Sequence, residues 1–135
     1  IVKDGGNIGS ASDTDAIAIA STGAVTFSKA TKPALNDLTE ADNVEINVNL
    51  ANLHTLTLNR ATTTLTVENE TVGQRFIVRV TQDGDGSRAL NFFSGISWAG
   101  GSAPTITTTA NKTDVFGFLC TATDTYDGFV IGQNI

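Results

Sequence analysis

The segment from Asp83 to Ser87 offers the clearest set of residues that could do chemistry, with the sequence Asp-Gly-Asp-Gly-Ser. Oxygen-bearing side chains at alternate positions are typical of loops that bind Ca²⁺. Such a loop also needs a glycine at its sixth position and a glutamate at its twelfth, where this chain has Arg88 and Ser94. The absent ligands favour a glycine-rich hairpin turn between two strands, and we predict no metal site.

A histidine-dependent catalytic site has one candidate, because His54 is the only histidine. It shares the parity of Leu56 and Leu58, which places it at the edge of an apolar strand face. The chain has no G-x-S-x-G nucleophile elbow and no histidine cluster for zinc. We therefore expect no catalytic residue, no cofactor and no enzymatic activity.

Carboxylates and aromatic side chains offer two further kinds of site. Paired carboxylates can act as the acid and base of a glycosidase. The glutamates lie on polar strand faces or in connections, where carboxylates are normally solvated. They are Glu40, Glu45, Glu68 and Glu70. Trp98 and Tyr126 could stack on a sugar or anchor a protein contact, so they are the candidate surface-contact residues. The alternative for Trp98 is a cap on the core beside the turn Gly100-Gly101.

Short strands must position these residues. From Val44 to Leu50 apolar side chains alternate with polar ones, which indicates a half-buried strand. The same period of two recurs along the chain, with turn residues between the runs. Such spacing is typical of a sandwich or jelly roll. We predict an all-β fold, with an antiparallel β-sandwich of jelly-roll type as a head domain over residues 34–135.

The first part of the chain, residues 1–33, has a different pattern. Two short alternating runs surround a three-residue break that contains a glycine, which predicts a hairpin. Ile17 and Ile19 should share one face of this hairpin with Val25 and Phe27. We interpret this segment as an extended β-hairpin arm, the end of a stalk that precedes the head.

The last two strands have apolar residues at both parities, in the ranges 115–120 and 126–131. Two dry faces indicate either a central, covered strand or a subunit interface. Because a domain of this size has no room for a third layer, we favour an interface. The predicted homotrimer contacts are Phe116, Phe118, Cys120, Phe129 and Ile131.

Composition narrows the classes of function. The chain has 135 residues, a formal net charge of −6 and eight scattered basic residues, so we expect no nucleic-acid binding. No apolar run approaches the length of a membrane span, so we expect no membrane insertion. Cys120 is the only cysteine, which leaves no intrachain disulfide. The sequence begins at Ile1 and has no methionine, and we expect it to be part of a longer protein.

An ordered set of short motifs resembles a C-terminal module of tailed-bacteriophage virion proteins, over roughly Val44 to the end of the chain. That module has a "QDGxG" turn, a "W-x-G-G" turn, a "K-x-D-V/I" strand start and a "Y-x-G" final strand. The corresponding segments here are Gln82–Gly86, Trp98–Gly101, Lys112–Val115 and Tyr126–Gly128. The arm, from Ile19 to Phe27, is similar to the stalk repeats of phage fibres.

The resemblance implies a trimeric fibre or spike head on the virion surface that attaches to the host, without catalysis or a cofactor. The implied partners are further copies of the chain, other virion proteins and a host-surface glycan or protein. A capsid-decoration or head-fibre protein is the alternative within the same class. A secreted carbohydrate-binding module is the alternative of another class, because fold alone does not give function. It should be a stable monomer with an exposed aromatic platform.

Overall fold

The computed structural model describes residues 2–3 and 5–135 and divides the chain into two compact units, Ile1–Lys32 and Pro33–Ile135. The fold is all-β, as predicted at that level. The strands are β1 Asn7–Ser10, β2 Asp13–Ile19, β3 Val25–Phe27, β4 Leu35–Asp37, β5 Asn43–Asn47, β6 Leu53–Leu58, β7 Thr62–Glu68, β8 Arg75–Gln82, β9 Ala89–Asn91, β10 Ile96–Trp98, β11 Thr113–Ala122 and β12 Thr125–Gly132. A 3₁₀ turn covers Ala99–Gly101. Over the described ranges, no helix is long and apolar enough to span a membrane.

The N-terminal unit is an antiparallel sheet in the order β1-β2-β3. The predicted hairpin is confirmed, because Ile17 pairs with Phe27 and Ile19 pairs with Val25. Val25 and Phe27 are about half exposed, at 54% and 52%. A sheet of three short strands buries little apolar surface by itself.

The second unit contains a six-stranded sheet, in the order β10-β12-β11-β8-β6-β4, and a three-stranded sheet, in the order β5-β7-β9. From β4 to β10 the chain alternates between the two sheets, one strand at a time. From β4 to β9, strands two apart in sequence therefore become parallel neighbours. Parallel strands need a crossover connection, and each of these four crossovers contains a strand of the other sheet.

The predicted antiparallel jelly-roll order is wrong for most strand pairs of this unit. The parallel pairs are β4–β6, β6–β8, β5–β7, β7–β9 and β10–β12. Only β8–β11 and β11–β12 are antiparallel. The alternation of apolar and polar residues is the same for both directions of pairing, so it contains no information about direction.

One cluster of buried side chains contains residues from both sheets. Val44 and Ile46 of β5 and Leu65 of β7 pack with Val78 of β8 and Phe116 of β11, and each is at most 3% exposed. The predicted alternation thus assigns the inward face of these strands correctly. The six-stranded sheet has its inner face on this core, so its opposite, outer face is the surface that it presents to the surroundings.

Candidate functional site

The Asp83–Ser87 segment connects β8 of the six-stranded sheet with β9 of the three-stranded sheet, so the predicted hairpin between paired strands is wrong. The Arg88 guanidinium binds both carboxylates. Its Nη2 lies 2.7 Å from Asp83 Oδ2 and 2.9 Å from Asp85 Oδ2, and its Nε lies 3.0 Å from Asp83 Oδ2. Hydrogen bonds from Arg88 hold the pKa of Asp83 below its usual value. An internal ion pair therefore closes this loop.

His54 lies on β6 with no exposed surface. Its Nε2 is 3.0 Å from the carbonyl oxygen of Ala51, and its Nδ1 is 3.5 Å from the side-chain amide of Asn36. This pattern assigns the proton to Nε2, which donates, while Nδ1 accepts. Burial lowers the pKa of His54, and the bond to Ala51 opposes this only in part. The ring also meets Phe76 edge-on at 6.3 Å. His54 is a neutral structural residue of the core.

The parallel pairing of β5 with β7 brings two of the glutamates together. The negative charge of Glu68 raises the pKa of Glu45, with minor help from burial and a hydrogen bond between the two. Glu45 is exposed and Glu68 accepts a hydrogen bond from Asn47. Glu40 is apart from them: one of its oxygens accepts from the Thr63 hydroxyl, and the other is buried without a partner. Glu45 is exposed and Glu68 is half-buried, so this pair lies at the surface of the three-stranded sheet.

The two candidate contact aromatics have different environments. Tyr126 is only 2% exposed, with its ring 4.9 Å from that of Phe93, so its prediction as a surface contact is wrong. Burial, followed by the charge of Glu70, raises the pKa of Tyr126 to about 12. Trp98 is half-buried and packs edge-to-face on Phe92 at 5.0 Å. Its indole caps the core, which was the alternative interpretation.

The five predicted trimer contacts separate into two groups. Phe116, Phe118 and Cys120 are 0%, 2% and 1% exposed within the core of their own chain, so their prediction as interface residues is wrong. Their parity on β11 faces the space between the two sheets. Phe129 and Ile131 on β12 point the other way and are 53% and 57% exposed. These two belong to the outer face of the six-stranded sheet and remain available for a contact.

An apolar groove forms where β8, β11 and β12 meet on this outer face. Gly117 of β11 lies between Ile77 of β8 and Phe129 of β12, its partners in the two ladders. A Cβ at Gly117 would lie 3.0 Å from Cδ1 of Ile131, so the side chain of Ile131 occupies the space that the glycine leaves. The resulting groove has a volume of about 460 Å³. We call the residues on its outward side the outer apolar face: Arg75, Ile77, Gly117, Leu119, Phe129 and Ile131.

Sequence reasoning missed Ile77, Leu119 and Arg75 as members of this face. A signal was present, because Ile77 is an apolar residue at the parity that Arg75 and Arg79 occupy on the same strand. Ile77 is 37% exposed, although its neighbours Phe76 and Val78 are buried. An apolar side chain on the polar side of a strand indicates a surface that something covers.

The motif residues form a polar network that ties loops to the sheet. Gln82 Nε2 donates to the carbonyl oxygens of Arg88 and Thr107, at 3.0 and 2.8 Å. Asp114, which is 2% exposed, accepts the backbone N–H of Thr107 at 2.6 Å and that of Asn134 at 2.9 Å. The motifs that carry the sequence resemblance therefore have structural roles in this chain.

Within residues 2–3 and 5–135, no three side chains of the His, Cys, Asp and Glu types are grouped so that they could hold a metal ion. The outer apolar face is a part of the second unit where exposed apolar side chains of β8 and β12 meet. No family model, curated protein or solved structure matches the chain.

Proposed function

We propose that this chain is a non-enzymatic structural module of a tailed-bacteriophage virion, the β-sandwich head of a trimeric fibre or spike that attaches to the host surface. The outer apolar face is the observation that carries this proposal. Ile77, Phe129 and Ile131 lie side by side there at 37–57% exposure. Soluble monomers rarely expose contiguous apolar patches unless these are interaction sites. Three copies packed around an axis would remove this face from water.

The ordered motifs support the assignment to a virion. Their residues brace loops against the sheet through Gln82 and Asp114, which suits a rigid head that presents weak binding sites in a fixed arrangement. Three weak sites on one rigid particle gain strength from avidity, because the second and third binding events are intramolecular. Attachment by this mechanism needs no catalytic group and no cofactor.

The aromatic side chains speak against the alternative of a secreted carbohydrate-binding module. Such a module needs an accessible platform of aromatic rings. Of the two aromatic residues predicted for that role, Tyr126 is buried and Trp98 has its ring against Phe92, which leaves Phe129 as the exposed ring of the outer apolar face. A capsid-decoration module would use the same outer face, so it differs from a fibre head in its place on the particle. Immunogold labelling of purified particles with an antibody to this chain separates the two, with label at the tail for a fibre or spike and over the capsid for decoration.

The first test is the absolute mass of the 135-residue chain in solution, by light scattering. We expect three times the chain mass of 14.0 kDa. Phe129→Asp should give a folded monomer, because it places a charge on a face that assembly would desolvate. The matched control is Val72→Asp, at an apolar residue of the same unit that is 63% exposed and outside the face. A monomeric wild type, or a trimeric Phe129→Asp, contradicts assembly through this face.

A further inference from the structure

A row of three residues crosses the outer apolar face with an ordered pattern of charge. Arg75 of β8 pairs with Leu119 of β11, and Leu119 pairs with Asp127 of β12. All three have the outward parity, opposite to Phe76, Phe118 and Tyr126 in the core. The row therefore reads cation, apolar residue, anion, from one side of the face to the other.

Neither charge of this row has an ion-pair partner within the described part of the chain. The ion pairs there join Arg60 to Asp42, and Arg88 to Asp83 and Asp85. Neighbouring strands lie about 4.8 Å apart, so Arg75 and Asp127 start about 10 Å apart with Leu119 between them. The chain places two opposite charges beside an exposed apolar surface and leaves both without a partner.

The next row explains why the charges matter for whatever covers this face. Ile77, Gly117 and Phe129 are neighbours across the same three strands, with Ile131 over the glycine. A partner that buries this apolar row also removes water from the charged row beside it. A charge that is buried without a partner is strongly unfavourable. The partner must therefore bring an anion to Arg75 and a cation to Asp127, on either side of an apolar centre.

We propose that a second copy of this chain covers the face. Arg75 of the first copy then pairs with Asp127 of the second. Asp127 of the first copy pairs with Arg75 of the second copy or, in a ring, with Arg75 of a third. A copy has the required apolar centre and both charges, at the required spacing, because it has the same sequence. An unrelated anionic protein would satisfy Arg75 but would bury Asp127 beside like charge. In a ring of three, each contact joins the Arg75 side of one face to the Asp127 side of the next, so every charge finds a partner.

This docking deepens the proposed function, on which it rests for the existence of an assembly. Its test is charge reversal with rescue. Arg75→Asp and Asp127→Arg should each raise the dissociation constant of the assembly at least tenfold, measured by sedimentation over a dilution series. The double variant should return to within threefold of wild type, because it restores opposite charges in the reversed order. Arg60→Asp, a reversal at an exposed arginine of the same unit, should leave assembly unchanged.

Each outcome decides between defined alternatives. The docking is overturned if the single variants assemble like the wild type, even if the wild type is a trimer. It is equally overturned if the double variant assembles no more tightly than the weaker of the two single variants. A wild-type dimer with rescue keeps the docking and overturns the trimeric head. A wild type that stays monomeric at all concentrations overturns both. Circular dichroism melting curves should show all four variants folded, because the changed side chains lie on the surface.

Discussion

Asp114 should be one of the most important polar residues for the stability of the second unit. It lies at the start of β11, is 2% exposed, and holds two separate segments with one carboxylate. Oδ2 accepts from the Thr107 backbone, and Oδ1 accepts from the Asn134 backbone. Gln133 Nε2 adds a longer bond of 3.3 Å. Substitution Asp114→Asn keeps the volume of the side chain but turns one acceptor oxygen into a donor that faces an N–H group.

The cost follows from these bonds. A hydrogen bond to a charged group contributes about 1.5–3 kcal/mol, and a buried donor without a partner costs about 1–3 kcal/mol. We expect Asp114→Asn to lower the free energy of unfolding by about 3 kcal/mol, a large part of a typical total of about 5–15 kcal/mol. For a unit of this size, each kcal/mol lost from the free energy of unfolding lowers the melting temperature by about 4–8 °C, so Asp114→Asn should lower it by about 12–24 °C. Asp85→Asn is the control, because its side chain is 86% exposed.

The effect of pH gives a second readout for Asp114. Burial alone would raise its pKa, but the hydrogen bonds from Thr107 and Asn134 outweigh burial and lower it. A carboxyl with a lowered pKa in the folded state stabilises the protein above its unfolded pKa of about 3.9 and loses this contribution as pH falls. The difference in stability between wild type and Asp114→Asn should therefore shrink below about pH 4. The reasoning is refuted if Asp114→Asn has the same melting temperature as Asp85→Asn. It is also refuted if the difference in stability between wild type and Asp114→Asn does not change with pH.

Two further predictions concern packing and protonation in the same core. Gly128→Ala should destabilise by about 1–3 kcal/mol, because the added Cβ would lie 2.6 Å from Ile96 and 2.7 Å from Trp98. Gly84→Ala, which meets no atom within 4 Å, is its control in urea unfolding, and equal effects would contradict the contact. His54 has a lowered folded pKa, so stability should fall as pH drops below about 6.5. His54→Gln should remove this loss between pH 7.5 and pH 5.0, and a wild type equally stable at both values would contradict it.

Strand positions and inward faces could be predicted from the sequence, since period-two alternation is a local property. Val44 and Ile46 illustrate this, with both residues buried as expected. The alternation between sheets could not be predicted, because the parallel partner of a strand lies 18 to 30 residues away, as between Leu35 and Leu53 or Ile96 and Tyr126, and depends on where the crossovers lead. The short strand Leu35–Asp37 shows the same limit, because three residues do not reveal a period.

Errors at the candidate site have a single physical origin. In β11 and β12 both parities are apolar, so alternation cannot tell the core-facing side chains from the outward ones. Phe118 and Tyr126 face the core, whereas Phe129 and Ile131 face outward. Only the ladder register, with Gly117 between Ile77 and Phe129, separates the two sets. Pairing in three dimensions was needed to find the residues that share a surface.

Strands with apolar residues on both faces were expected to be either covered within their own chain or part of a subunit interface. Here the first explanation applies to the inner face of the six-stranded sheet, and the second is the one proposed for its outer face. Inward apolar residues such as Phe116 are explained fully by the core of their own chain, since none of their surface is left exposed. Outward residues such as Ile131 have no such explanation in a single chain. Towards β6 the outer face is mixed: Arg79 lies next to Thr55, whereas Ile77 lies next to Leu53, which in turn pairs with Leu35 of β4. Leu53 is half-buried and Leu35 is 55% exposed. A contact that covers β8, β11 and β12 therefore removes the exposed apolar groove and leaves Leu35, at the far edge of the sheet, in water.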